Sequence, residues 1–305
     1  MIVATGKNFT ARFSTANGSL CGLSYNGEEM ILPGHGPRLE AFRAYVNNDA
    51  WIQEKWFANG LYNLEHKVLS CRQDKDSDGY PTLTFTVQSQ APRGGKMLGG
   101  NGNARGTYSI EENDSVTFGD SDLRFITVQT WTIRPDGTIY LTADVTSNNE
   151  SLVLPRLGYV MEMPGRYDEI EYYGRGPIEN YNDRKTGQFV GRYTTTVRDM
   201  LTPYTRPQSN GNREEVRWAT VTDGNSGLRF TAPDLMSFSA GPYTEMELFN
   251  TNHLYKLPQS DRTVVHLDAG VTGLGGASCG QGGPLKQDRI LATPRTIRLR
   301  ISPVL

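Results

Sequence analysis

Cysteine is scarce. Three residues in 305 (Cys21, Cys71 and Cys279) form an odd set with no CxxC or Cys/His spacing, which argues against a zinc site. Free thiols are the simplest reading, and a Cys21–Cys71 disulfide stays open. Charge of one sign is also lacking. With 31 basic and 33 acidic side chains the formal charge is -2, so no overall field draws nucleic acid or an anionic membrane, and neither is expected as a partner. No stretch approaches the roughly 20 apolar residues that cross a bilayer. The amino terminus, MIVATGKNFTARF, lacks the basic region and apolar run of a secretion signal. A soluble protein of the cytoplasm or periplasm is the expectation.

Catalytic motifs are missing as well. The four histidines (His35, His66, His253, His266) sit in no ligand spacing, and no GxSxG elbow supports a nucleophilic serine. His266 falls inside a strand pattern and reads as a satisfied structural histidine. His253 follows a helical segment and is the one histidine nominated for ligand contact. Carboxylates abound, but spacing alone does not reveal a catalytic pair.

What the chain has in quantity is glycine (33), proline (16) and tyrosine (15), the profile of many short strands joined by turns. Apolar residues alternate at Phe9, Ala11 and Phe13, at Cys21, Leu23 and Tyr25, and at Leu83, Phe85 and Val87. Trp131 and Ile133 lead through Pro135-Asp136-Gly137 into Ile139, Leu141, Ala143 and Val145, a hairpin signal. Residues 216–221, 263–267 and 297–301 repeat the alternation. Two packed antiparallel sheets are predicted, in one domain over 1–305. Only 50–59, ending before Gly60, and the segment opened by Thr244 and Glu247 at capping-box spacing read as helical. Residues 93–106, with six glycines and three cations, read as a mobile glycine-rich insertion that meets no phosphate-loop pattern.

Three segments carry more polarity and glycine than strand edges need. Residues 172–184, YYGRGPIENYNDR, set Arg175, Glu179, Asn180, Asp183 and Arg184 among tyrosines. Charge-assisted hydrogen bonds can satisfy such a segment internally, and the same groups also suit a docking surface; both readings stay open. Residues 201–218 hold Pro203, Pro207 and an Asn210-Gly211 turn. Residues 270–284 hold seven glycines, which allow close backbone approach.

In order, these segments resemble the carboxy-terminal, small-chain region of glycoside hydrolase family 2 β-galactosidases. Tyr173, Gly174, Gly176, Pro177, Glu179, Asn180, Tyr181, Asp183 and Arg184 match that family's aromatic-Gly-x-Gly-Pro-x-Glu-Asn-Tyr-x-Asp-Arg signature. Pro203, Tyr204, Pro207, Asn210 and Gly211 fit the next motif, although Ser209 stands where glutamate is usual. Upstream, Arg43, Ala44, Asn48, Asp49, Trp51 and Trp56 match, and downstream Gly273 to Gly276 supply Gly-Leu-Gly-Gly.

The resemblance implies an all-β, galactose-mutarotase-like supersandwich, a large antiparallel β-sandwich lying against the mouth of a separate (β/α)8 catalytic domain. Two glutamates of that barrel would perform retaining hydrolysis of a galactoside or related sugar, with carboxyl groups about 5 Å apart. No catalytic residue, cofactor or metal is expected in this chain; metal ions would belong to the absent domain. Substrate-binding or barrel-docking candidates are Arg43, Asn48, Asp49, Glu179, Asn180, Asp183, Arg184, His253, Ser278, Cys279 and Gly280. Glu179 and Asp183 are expected to hold Arg175, Arg184 or the barrel. Where some family members place a tryptophan platform after Gly-Leu-Gly-Gly, this chain has Ala277-Ser278-Cys279-Gly280, which leaves backbone amides for sugar hydroxyls. Two alternatives are a free-standing carbohydrate-binding module using exposed Trp51 and Trp56, and an aldose-epimerase-like enzyme needing a histidine–carboxylate pair.

Overall fold

The computed structural model describes residues 1–99, 108–276 and 282–305. The alternation predicted from sequence becomes strands with one face inward. Along Phe125–Ile133, every second residue from Phe125 to Ile133 is buried, while Val128 stays exposed. In register, Trp131 lies opposite Leu141 on one side and Leu83 on the other, so cross-strand apolar pairs hold the ladder. The turn closes as the Asp-Gly pair requires. Gly137 takes φ +83, and Asp136 accepts a bond from the Thr138 amide at 2.9 Å.

Twelve antiparallel strands form the main sheet. Its path runs from the edge strand Phe189–Thr196 through Glu169–Gly176, Arg213–Thr222, Gly227–Gly241, Arg295–Val304, Ile139–Ser147, Phe125–Ile133 and Pro81–Gln90 to the opposite edge, Glu65–Lys75. The 15-residue strand Gly227–Gly241 turns the sheet back on itself. Its first part pairs with Arg295–Val304 and its last part with Arg262–Val271, with Leu235 at φ +62 between them. Arg262–Val271 then pairs with Arg156–Pro164, which pairs with Arg38–Glu40. Eight of the nine residues of Arg156–Pro164 are buried, because this strand is covered on both faces. A smaller four-stranded sheet (Ile2–Thr5, Phe9–Phe13, Leu20–Tyr25, Glu28–Glu29) packs on the main one. Phe13 meets Trp131 at 5.6 Å between ring centroids, and the Tyr25 hydroxyl donates to the Gly137 carbonyl at 2.6 Å. The result is the large antiparallel β-sandwich that the strand pattern predicts.

The helical connectors are short. Gln53–Ala58 buries Trp56 and Phe57 and ends at Gly60, φ +67. Glu245–Asn250 opens with the predicted capping box: the Glu247 amide donates to Thr244 Oγ1 at 3.2 Å, and the Thr244 amide to Glu247 Oε2 at 2.8 Å. Described residues include no helix long and apolar enough to cross a membrane.

One expectation fails in its described part. Within the glycine-rich insertion, Gly95–Leu98 is a strand paired with Ser109–Glu112. Lys96 faces Glu111, and Met97 with Ile110 packs on the core. Strand pairing and apolar burial organise a segment whose glycine count predicts a loop. Residues 100–107 lie outside the described residues. Cys21 and Cys71 are both free thiols.

Candidate functional site

Two motif segments, 43–49 and 172–184, meet the backbone of residues 272–275 of a third, up to 230 residues away. Arg43 and Asp49 form a buried bidentate pair, Nε–Oδ2 3.1 Å and Nη2–Oδ1 2.5 Å. The same guanidinium donates to the Thr272 carbonyl and, at 3.4 Å, to that of Gly273. Asn48 Nδ2 reaches the Gly275 carbonyl at 3.2 Å. From the opposite side Asp183 accepts the amides of Leu274 (3.1 Å) and Gly275 (2.6 Å). Glycine is required where they meet. A Cβ on Gly273 would lie 2.5 Å from the Asp183 carboxyl carbon, and Gly275 adopts φ +77. Burial pushes the Asp49 carboxyl above its usual range, with Arg43 pulling against it.

The 172–184 signature is a hairpin end more than a free loop. Glu169–Gly176 continues as a strand to the cis Gly176-Pro177 bond, and Tyr181 bridges to Arg184. Glu179 accepts the Gly211 amide at 3.0 Å, the Arg184 guanidinium at 2.9 Å and the Tyr204 hydroxyl. Asn180 is fully buried. Its amide donates to the Asn212 carbonyl (2.8 Å), its Nδ2 to the Arg175 (3.1 Å) and Ile178 (2.9 Å) carbonyls, and its Oδ1 accepts the Glu214 amide (2.9 Å). Neither Glu179 nor Asp183 holds Arg175. That guanidinium pairs with Glu215 at 2.9 Å, which also takes Lys185 at 3.1 Å. Glu215 manages this from φ +55, inside a bulged stretch of Arg213–Thr222. No pattern in the sequence announces a left-handed glutamate within a strand.

A second charged cluster went unread in the sequence. Arg156 pairs with Asp268 (2.9 Å) and Glu245 (2.6 Å) and lies 3.6 Å from Glu40, which accepts from or donates to His266 Nδ1 at 2.7 Å. Glu245 also takes the Ala44 amide at 2.6 Å and the Ser209 hydroxyl at 3.0 Å. Ser209, the departure from the family pattern, is therefore bonded to a carboxylate instead of supplying one. Burial opposes ionisation of Glu40, yet His266 and Arg156 hold its pKa below the usual value; burial pushes Asp268 up despite Arg156. The only sequence signal for this cluster was His266 within a strand pattern.

These elements are tied together by a known family. The chain matches the beta galactosidase small chain model over residues 5–301. It belongs to that family. The β-galactosidase of Priestia megaterium is 30% identical over 90% of this chain and 24% of its own length. The Streptococcus thermophilus β-galactosidase is 29% identical over 96% of this chain and 26% of its own. This small chain spans about a quarter of the length of these relatives. Among solved structures, an aldose epimerase homologue from C. elegans aligns over 99% of this chain and 98% of its own, at 9% identity and a TM-score of 0.48.

Within the small chain, the nominated residues divide. Arg43, Asn48, Asp49 and Asp183 shape one backbone loop, and Glu179, Asn180 and Arg184 fasten the signature to the Asn210–Gly211 turn and its neighbours. His253 joins neither group. It is exposed, stacks on Tyr255 at 5.3 Å, and makes no hydrogen bond or ring contact to either cluster among the described residues. Ser278, Cys279 and Gly280 lie outside the described residues. The exposed tryptophans of the binding-module alternative are not both available. Trp56 is buried, its Nε1 donating to the Val153 carbonyl at 2.7 Å, while Trp51 is half-buried under Arg289, 4.4 Å from the ring centroid. The Glu40–His266 pair is a histidine–carboxylate couple, but its partners touch each other, leaving no room for a sugar ring between them. Among the described residues, no group of three or more His, Cys, Asp or Glu side chains is placed to hold a metal.

Proposed function

We propose that this chain completes the sugar-binding pocket of a separate (β/α)8 β-galactosidase catalytic domain that hydrolyses terminal β-galactosides with retention, and that it is inactive alone. The observation that carries this reading is coverage: the match takes in nearly all of this chain but only about a quarter of its relatives. The geometry supports it. Retaining hydrolysis needs two carboxyl groups about 5 Å apart facing one substrate. Asp49, Glu179 and Asp183 are instead occupied by backbone amides, guanidinium groups and a tyrosine hydroxyl.

In this reading Arg43, Asn48, Asp49 and Asp183 fix the 272–276 loop, and Ser278, Cys279 and Gly280, which follow it in sequence, serve as sugar-binding residues. Glu179, Asn180 and Arg184 brace the surface toward the barrel. Residues 1–305 act as one unit, and any metal serves the reacting glutamates of the other domain. The test is turnover of an aryl β-galactoside by the isolated chain, by the β-galactosidase catalytic chain encoded in the same genome, and by their mixture. Turnover appearing only in the mixture is expected. Turnover by this chain alone, or a catalytic chain indifferent to its presence, overturns the reading.

A further inference from the structure

Part of the signature hairpin faces outward, and the side chains of Pro177 and Ile178 take no part in the internal bonding described above. Tyr172, Asn180 and Tyr181 are buried, whereas Ile178 is 62% exposed and Pro177 is also open to solvent. Strand register places Gly176 opposite Phe189 and Arg175 opposite Val190. Phe189 is 76% exposed and Val190 is exposed as well. The Ile178 amide meets Gln188 Oε1 at 3.4 Å, so exposed Pro177, Ile178, Phe189 and Val190 lie at the same end of the hairpin, with Phe189 and Val190 on opposite faces of their strand.

That end holds the start of the edge strand of the main sheet. Among the described residues Phe189–Thr196 pairs only with Glu169–Gly176, and its outer row of amides and carbonyls has no strand partner. An apolar edge left in water invites association. The other edge, Glu65–Lys75, is guarded by Glu65, Lys67, Arg72, Asp74 and Lys75 and by a bulge between Val68 and Ser70. The apolar edge is also rigid. Arg175 donates to the Gln188 carbonyl at 2.8 Å while Glu215 clamps Arg175 and Lys185. A braced apolar patch is preorganised for a partner and loses little freedom on binding.

Resting on the functional reading above, we propose that the Ile178–Phe189–Val190 edge is the docking face for the β-galactosidase catalytic chain. The occupant is chosen by what is missing and by position. Three-quarters of the relatives' length lies outside this chain. The patch also continues directly from the signature residues that mark the family. The partner surface should be apolar and should offer backbone groups to the open strand.

The test compares the unchanged chain, the double variant Ile178→Asp/Phe189→Asp and the control Tyr255→Asp, whose site is 80% exposed elsewhere. Each is titrated into the catalytic chain encoded in the same genome, with aryl β-galactoside turnover as readout. The double variant should need at least ten times more chain for half-maximal turnover, with an unchanged thermal melt and the same maximal rate at saturation; the control should match the unchanged chain. Equal potency of the double variant, or equal weakening by Tyr255→Asp, overturns the docking face and leaves the functional reading standing. Absence of complementation by the unchanged chain overturns the functional reading and the occupant with it. Light scattering on the chain alone closes the remaining route: a dimer dispersed by the double variant would assign the edge to a second copy and overturn the proposal.

Discussion

Two charged clusters meet at the Arg43-Ala44 step, Arg43 belonging to one and the Ala44 amide donating to Glu245 of the other, and they behave differently. The Arg43–Asp49 pair, with Asp183, directs its bonds at main-chain groups of residues 272–275. The Arg156 cluster joins side chain to side chain, setting one guanidinium among Glu40, Glu245 and Asp268 with His266 beside them. The first positions a loop and can fail locally. The second crosslinks Arg38–Glu40, Arg156–Pro164, Arg262–Val271 and the helix Glu245–Asn250, so its failure is global. Location within the sheet, more than the number of charges, sets what each pair does.

Removing Arg156 should break the comparison most sharply. Arg156→Met takes the guanidinium from buried Glu245 and Asp268 and part-buried Glu40, and loss of one partner from a buried ion cluster typically costs about 3–5 kcal/mol. Thermal or urea unfolding should register the whole of it, and a shift under about 1 kcal/mol would show that the cluster is already neutral. Arg43→Ala should cost less, about 2–3 kcal/mol, because Asp49 is already pushed toward protonation by burial. Its distinctive sign is faster amide exchange at Leu274 and Gly275, which Arg156→Met below its own melting range should not produce.

Asp183→Asn keeps the shape and loses the charge. About 1–2 kcal/mol is expected, confined to the same two amides; exchange spread through the main sheet would put Asp183 with the global cluster. The smallest effect belongs to His253→Ala, within about 0.5 kcal/mol by urea unfolding, since among the described residues its ring stacks only on exposed Tyr255. A larger loss would give His253 a structural role.

Proton linkage sharpens the same contrast. Glu214, bonded to Asn212 and Ser237, is pushed up to about 7 by burial from an ordinary 4.5. A carboxyl raised on folding binds its proton more tightly in the folded state. Its contribution is therefore complete below about pH 4.5 and disappears as pH rises through about 7. Glu214→Gln should then lose less stability than the unchanged chain between pH 5 and 8, measured by urea midpoints. Parallel pH curves would sink this assignment.

Much of the molecule is legible in the residues. Phe125–Ile133 and Ile139–Ser147 follow from alternation and an Asp-Gly turn, and the helix at Glu245 from Thr244 and Glu247, because these signals are local. The part of the insertion at Gly95–Leu98 was misread, since pairing with Ser109–Glu112 is invisible to glycine counting. The binding-module alternative required an exposed Trp56, which is buried; a single tryptophan carries no mark in the sequence of the side it faces. The signature pointed to Glu179, Asn180 and Asp183, and the structure supplies their distant partners Tyr204, Asn212 and Gly275, 25, 32 and 92 residues away.

Sequence alone determined strand identity, turn chemistry and family membership, all written in spacing of a few residues. Tertiary structure alone decided that Asp183 meets Gly273 to Gly275, that Glu40 meets His266 across 226 residues, and that exposed Phe189 and Val190 open an edge strand. The physical reason is range. Backbone preference and period-two alternation act between neighbours, whereas buried charges find partners only after the sheet folds back and removes water from between distant strands.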